Sequence, residues 1–402
     1  MSKHVYITGI GIICAIGNNV TETLRSLLAS RSGIGEITLF PTIHKGIIPM
    51  AEVKLSTTQL LEQTGYSGSK NLTRTSLLGI IAAREALTSA GITNIAKFKT
   101  GLISATTVGG MDRSENFYAS FLSDHKKGRM IDVVNHDCGD SAERIAADLG
   151  IRGFVTTIST ACSSSVNALM FGSNLVKTGQ LERVIVGGND SVTKFTLNGF
   201  NTLMILDKTG CHPFDDKRAG LTLGEGAAFL VLESEDVVIR ENKPILAEVS
   251  GYANANDAYH QTASSPDGVG AFMAMSKALD MSGLQSADID YINVHGTGTE
   301  NNDLSEGVAM ERIFGENVPP FSSTKGYTGH TLGAAGAVEA VISVLAIQNR
   351  VIFPNLNFST PMKELHIEPV EALIKDIELH HVLSNSFGFG GNNSAVILSK
   401  VI

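Results

Sequence analysis

The chain has 402 residues, 43% of them hydrophobic and 18% charged, enough for one large α/β domain or two fused ones. A formal charge of −9, no tryptophan and only 6% aromatic residues exclude a general nucleic-acid surface and argue against one that stacks bases or sugars. Four cysteines without a Cys-x-x-Cys spacing exclude a zinc-finger pattern, and they fit a reducing, cytoplasmic compartment better than a disulfide framework.

In chain order, residues 5–13 read as a glycine-interrupted core strand and not as a signal peptide, and no stretch approaches the ~20 apolar residues of a membrane span. A short helix over 18–29 with Thr21 as its cap comes next, then a surface excursion over 30–69. Residues 72–90 read as a helix with Leu77, Leu78, Ile81, Ala82 and Leu87 on one side, stopped by Gly91. A strand over 101–107 leads to a segment, 112–140, that is polar and irregular at first, and 141–149 is helical again. Residues 154–158 form a β-branched strand running toward Cys162, and Val166, Leu169, Met170, Leu175 and Val176 then fall at helical spacing. Further strands are expected at 183–188, 227–232 (an edge), 245–253, 289–294, 382–386 and 394–398, with helices at 269–281 and 334–348.

The order of elements occurs twice. Strand, helix, strand, helix and strand over 5–188 recur over 245–386, and the phrase Ala86-Leu87-Thr88-Ser89-Ala90-Gly91 is echoed by Ala278-Leu279-Asp280-Met281-Ser282-Gly283. This predicts a duplicated α/β domain with halves at 1–240 and 241–402. Cys162, His295 and the turn at 387–391 each follow a strand, where open α/β layers gather ligands, so one pocket can hold all three.

Four turns carry chemistry. Cys162, between a strand and a helix, has amide N–H groups that favour thiolate, although a lone cysteine is more often a small buried hydrophobe. His295-Gly296-Thr297-Gly298-Thr299, with Asp303 and Glu306 following, puts an imidazole after an apolar strand in a flexible turn. Lys325 and His330 precede a helix opened by very small residues; the Gly-Lys here lacks the spacing of a phosphate loop. Asn385-Ser386-Phe387-Gly388-Phe389-Gly390-Gly391-Asn392 reads as a gate whose amides face a substrate carbonyl. One cysteine and two histidines also make a zinc set, but there is no close ligand pair and Lys325 would repel a cation. Covalent catalysis ranks above it and no resident metal is expected.

Taken together, Thr160-Ala161-Cys162-Ser163-Ser164, His295-Gly-Thr-Gly-Thr, Lys325…His330…Gly333-Ala-Ala-Gly336 and Asn385-Ser-Phe-Gly-Phe-Gly-Gly391 resemble the elongating β-ketoacyl–acyl carrier protein synthases of the thiolase superfamily, over nearly the whole chain. The resemblance implies a duplicated αβαβα fold, with two five-stranded sheets and helices between and outside them, and a decarboxylative Claisen condensation. Cys162 would carry the acyl group, with His295 and His330 on the malonyl thioester carbonyl. The amides of Cys162 and Phe389, beside Gly390, would form the oxyanion hole and gate, and Lys325 and Glu339 the charged support. Thr297 and Thr299 would hold the phosphopantetheine arm, and Val108, Phe387 and Asn392 would line the substrate. No cofactor is implied, because phosphopantetheine arrives on the carrier protein; the partners are acyl carrier protein, malonyl and acyl thioesters, and a second subunit, a homodimer before a heterodimer. Lys70, Lys126, Lys127, Arg129 and Lys208 are candidates for the surface facing an acidic carrier.

Near relatives differ at these positions. A His/Asn pair would mark the initiating synthases, a glutamine in place of Cys162 a non-condensing chain-length factor, and a second cysteine at the glycine-rich turn a thiolase. Asn135-His136-Asp137-Cys138-Gly139-Asp140 is polar where an apolar acyl tunnel is expected, which points to a short, polyunsaturated or polyketide-like chain, as in a type II polyketide or aryl polyene pathway.

Overall fold

Strands and helices alternate along the chain in the computed structural model, which describes residues 4–69 and 71–401. The strands are β1 (Val5–Cys14), β2 (Thr100–Ala105), β3 (Val155–Ile158), β4 (Arg183–Asp190), β5 (Gly226–Ser234), β6 (Ala247–Asn256), β7 (Tyr291–Asn293), β8 (Phe321–Ser322), β9 (Val351–Ile352), β10 (Ile374–Lys375), β11 (His381–Gly388) and β12 (Asn392–Ser399). β9 and β10 pair as a small ribbon; the others form one sheet in the order β3-β2-β4-β5-β1-β6-β12-β11-β7-β8.

That order is palindromic under the duplication. With β1 matched to β6, β2 to β7, β3 to β8, β4 to β11 and β5 to β12, each half has the same neighbours and the same directions: three parallel strands, then two antiparallel ones. The two expected five-stranded sheets are thus joined edge to edge, through Tyr6↔Glu248 and Ile7↔Ala247. The helices Ser164–Lys177 and Ala335–Asn349 lie between the halves, and the second touches strands of both. Arg74–Ser89 covers β1 and β5 from outside, as Val269–Ser282 covers β6 and β12.

Glycine makes the outer contacts close. A Cβ on Gly9 of β1 would lie 2.3 Å from the carbonyl oxygen of Ala86, and one on Gly251 of β6 would lie 2.3 Å from that of Ala278. The repeated phrase is therefore the face on which each outer helix meets its first strand. Both phrases end on a glycine at positive φ, Gly91 at 63° and Gly283 at 74°. The inner pair is equally tight: a Cβ on Gly336 would sit 2.4 Å from Val166 Cγ2.

Several expectations are corrected. The first helix is capped by Asn19, whose side chain accepts from the Glu22 amide, and not by Thr21. The strand expected at an edge, now β5, is interior, between β4 and β1, which explains its continuous apolar run. The segment read as irregular contains the helix Met111–Ser123, and helices Lys194–Thr202 and Glu300–Phe314 were not anticipated. The stretch 332–349 is long and apolar enough to cross a membrane, but 89% of it is buried inside the protein as the inner helix.

Candidate active site

β3 delivers the chain to a tight elbow. Ala161 adopts φ +54°, a left-handed conformation that costs a non-glycine residue about 1–2 kcal/mol, and Cys162 follows it. Ser164 Oγ accepts from the Thr160 amide at 2.8 Å and donates to Ala161 O, and Ser386 Oγ donates to Cys162 O at 2.9 Å. The elbow is thereby tied to its own helix and to β11. Cys162 is buried, and burial pushes its thiol up to about 11, against the lowering effects of Lys325 and the Phe389 amide. The sequence expectation of a resting thiolate is corrected: desolvation outweighs the helix start.

His330 Nε2 lies 3.1 Å from Cys162 Sγ, while its Nδ1 accepts from the Leu332 amide at 3.2 Å. A ring nitrogen that accepts carries no proton, so Nε2 carries it and points at the sulfur. Leu332 is itself held at φ +53° to present that amide. His295 is arranged in the same way by another donor: Lys325 Nζ is 3.2 Å from its Nδ1, and Lys325 also donates to His295 O and to Glu339 Oε1. Three donor positions thus meet three acceptors, and the His295 Nε2–H is left for the cavity. The two imidazoles stand edge to face, 5.3 Å between ring centres. Burial first, then Lys325, lowers both histidines well below the ordinary imidazole range, so both are neutral donors at pH 7.

The loop bearing His295 is held from below by the helix Glu300–Phe314. Glu306 accepts from the amides of His295 and Gly296, each at 2.8 Å, and Asp303 from that of Gly298. Gly296 and Gly298 have φ +38° and +76°, which the alternating glycines permit. Asn385 also donates to Glu306 at 2.9 Å, which ties this loop to β11. Asp190, at the end of β4, accepts from Thr106, Thr107, Val108 and Gly333 and joins the turns after β2 and His330. Sequence reasoning missed Asp190; its one signal was a carboxylate directly after the apolar and glycine run 184–188 and Asn189.

A cavity of about 230 Å³ opens over Cys162, His295 and His330, walled by Thr297, Thr299, Phe387, Phe389, Phe200 and Leu221. Phe389 stacks on Phe200, 5.9 Å between centres, across the mouth.

Comparison with known proteins agrees with this geometry. The β-ketoacyl synthase N-terminal domain model matches residues 2–237 and the C-terminal domain model residues 246–359. The chain belongs to the β-ketoacyl synthase family. It is 32% identical to 3-oxoacyl-[acyl-carrier-protein] synthase 2 of Staphylococcus aureus strain N315, over 99% of each chain, and 33% identical to a putative mitochondrial 3-oxoacyl-[acyl-carrier-protein] synthase of Schizosaccharomyces pombe, over all of both. Among solved structures it resembles the ishigamide ketosynthase/chain length factor, with a TM-score of 0.93 and 30% identity over both whole chains. It also resembles the ketosynthase ApeO in complex with its chain length factor ApeC from Xenorhabdus doucetiae, with a TM-score of 0.82 and 31% identity over 99% and 98% of the two chains.

Not every residue expected to act in this β-ketoacyl synthase reaches the cavity. The Gly390 amide donates to Gln261 O at 2.8 Å and faces away from the sulfur, leaving the Phe389 amide beside it. Asn392 lies under the elbow, where its side-chain oxygen accepts from Asn167 and Asn254 and meets Ser163 Oγ at 2.6 Å; it braces the nucleophile and does not line the substrate. Val108 packs with Leu221, Leu223 and Leu332 behind His330. His136 and Val133 line a separate groove of about 630 Å³ with Met111, Phe117, Tyr118 and Phe195, where His136 Nδ1 is 2.8 Å from Ser114 Oγ. Lys126, Lys127 and Arg129 share one exposed segment, with Lys127 near Asp124 and Arg129 on Asp132; Lys208 is exposed on another, and Lys70 lies outside the described residues.

Proposed function

We propose that this β-ketoacyl synthase condenses a malonyl–carrier protein thioester with an acyl group held on Cys162, as an acyltransferase of fatty acid elongation. One observation carries the reading: both imidazoles have Nδ1 engaged as an acceptor, so two Nε2–H donors converge beside one sulfur. Cys162 attacks the acyl–carrier thioester, its S–C bond forms as the pantetheine S–C bond breaks, and the thiol proton leaves with the departing pantetheine sulfur. Malonyl thioester then enters; its carbonyl accepts from His295 and His330, the carboxylate departs as CO2, and the electron pair rests on the enolate. The enolate carbon attacks the Cys162 thioester. The oxyanion faces the amides of Cys162 and Phe389, and collapse expels the Cys162 sulfur, which takes one proton from water as 3-oxoacyl–carrier protein forms. Neutral donors suit this sequence because they meet developing charge without a proton transfer.

The sulfur and the two imidazoles also lie within 4.8 Å of one another, near enough to share a cation. Lys325 beside His295 and the protonated Nε2 atoms oppose that, so the site works without a resident metal or cofactor, the phosphopantetheine being supplied by the carrier. Four free thiols support a reducing, cytoplasmic setting. The halves 1–240 and 241–402 act as one catalytic unit, since each gives residues to the same cavity.

A second reading is supported by the likeness to ketosynthases solved with chain length factors: the condensing subunit of a polyketide or aryl polyene pair. The reaction is tested by incubating the protein with hexanoyl–carrier protein and weighing the Cys162 peptide. A hexanoyl adduct that yields 3-oxooctanoyl–carrier protein and CO2 on adding malonyl–carrier protein is expected; an unmodified peptide under these conditions rejects the reading. Activity only after co-expression with a non-condensing homologue selects the second.

A further inference from the structure

Asp190 is fully buried at the end of β4, and no cation pairs with it among the described residues. Its carboxylate meets five donors instead. Oδ1 accepts from Thr106 Oγ1, from the Thr107 amide at 3.1 Å and from the Val108 amide at 3.0 Å; Oδ2 accepts from Thr107 Oγ1 at 2.8 Å and from the Gly333 amide at 2.7 Å. A buried charge without a counter-ion persists only when it is fully hydrogen-bonded, as this one is. The Gly333 bond is the one that bears on the chemistry. Leu332, one residue earlier, holds φ +53°, a conformation that a leucine keeps only where its surroundings enforce it. The Leu332 amide is the donor that occupies His330 Nδ1. Gly333 is pressed on the carboxylate: a Cβ there would lie 2.9 Å from Asp190 Oδ2 and 3.1 Å from the Thr107 amide nitrogen. On the other side Val108, held by Oδ1, packs against Leu332.

We infer that Asp190 is a positioning residue for His330: it locks Leu332 in its left-handed conformation, and the Leu332 amide then keeps the His330 proton on Nε2, facing Cys162 and the malonyl carbonyl. The role in catalysis rests on the condensing reading above. The contacts run from Asp190 Oδ2 to the Gly333 N–H, across one peptide to the Leu332 N–H, and on to His330 Nδ1. Lys325 does not serve His330 in this way, because its ammonium is engaged by His295 and Glu339. The two imidazoles are thus set by opposite charges, His295 by a cation in contact and His330 by an anion acting through the backbone. An amide has one accepting oxygen where Asp190 uses two. Asp190→Asn therefore strands either the Gly333 amide or the Val108 amide, and either loss frees Leu332.

The test reads the tautomer directly. In the whole protein carrying nitrogen-15-labelled histidine, ring nitrogen–proton correlation spectra distinguish Nε2–H from Nδ1–H, and His330 is assigned among the 11 histidines by the signal missing from His330→Gln. The parent is expected to hold His330 as Nε2–H, and Asp190→Asn to show Nδ1–H or exchange between the two forms. Asp190→Ser, whose hydroxyl is too short to reach Gly333, is read alongside and should do the same. Thr106→Val removes a hydroxyl donor but leaves every amide bond to the carboxylate, so it should unfold earlier on heating with the tautomer unchanged. In the half-reactions, Asp190→Asn should slow decarboxylation of malonyl–carrier protein by about tenfold or more at a KM within about threefold of the parent, while hexanoyl loading of Cys162 does not fall. Nδ1–H at His330 in the parent, Nε2–H retained in both Asp190 variants, equal mixing in Thr106→Val, or parallel losses in the two half-reactions would overturn the inference. A tautomer shift in Asp190→Asn, with a parent that decarboxylates no malonyl thioester, supports the positioning and sinks the condensing reading alone.

Discussion

At the scale of single residues, the site works by assigning protons. Burial holds Cys162 as a thiol with its pKa up at about 11, so the thiolate fraction grows about tenfold per pH unit below that value. Alkylation of Cys162 by iodoacetamide, followed by mass spectrometry, should climb throughout pH 6–9. A plateau below pH 7 would mean that the helix start and Lys325 overcome desolvation after all. Lys325 sets the His295 tautomer, so Lys325→Ala should slow malonyl decarboxylation by about 10²–10³, the loss typical of a misplaced oxyanion donor, and change Cys162 acylation by less than fivefold. Glu339 keeps the fold intact in that variant, because burial already raises its carboxyl to about 7 and it takes up a proton once its partner is gone. Equal losses in the two half-reactions would make Lys325 merely structural. Cys162, His295 and His330 were legible because each sits in a turn of unusual composition. The tautomers were not, since they depend on the Leu332 amide and on Lys325, which no local pattern links to them.

At the scale of elements, the duplication makes its own prediction. Gly9 and Gly251 occupy matching places under matching helices, so an alanine at either drives a methyl into a backbone carbonyl. Each substitution should destabilise by about 1–3 kcal/mol in urea unfolding, as overpacking does. Gly199→Ala is the contrast: it lies in a helix at ordinary φ with no atom within 4 Å, and it should gain about 0.5–1 kcal/mol. If Gly9→Ala were silent and Gly251→Ala costly, the halves would not be packed alike. The repeated phrase let the sequence show this architecture, because a helix pressed on a strand needs small residues at fixed spacing. Short pieces escaped notice for the opposite reason. β8 has two residues, and five of the nine residues of the helix Lys194–Thr202 are threonine, asparagine or glycine, which favour helix weakly; it is started by the Thr193–Thr196 capping box.

At the scale of the molecule, the two ends of the sheet differ although the halves repeat. β8 is buried, and a segment after the β9 strand covers it: Val370 N donates to Phe321 O, and Ser322 Oγ to Phe353 O. β3 is half-buried along its whole length, and Phe154 and Phe171 beside it pack edge to face at 5.9 Å with 38% of each exposed. Phe154 O accepts from Leu102 of β2 and Ile158 O from Thr106 just past it, so by alternation Val155 and Thr157 turn their amides outward, with no hydrogen-bond partner among the described residues. An open edge of this kind invites another strand. The homodimer that the family resemblance implies would pair two copies antiparallel along β3, continuing the sheet from one subunit to the next and placing the elbow at Cys162, four residues past β3, close to the junction. Light scattering should then give twice the chain mass of 42.5 kDa. Thr157→Pro, which deletes one outward donor and leaves the bonds to β2 in place, should shift the protein to a single chain with unchanged far-ultraviolet circular dichroism. A Thr157→Pro protein that remains a dimer would move the interface elsewhere. A parent protein that is monomeric alone, and pairs only with a non-condensing homologue, would keep β3 as the interface and change the identity of the partner.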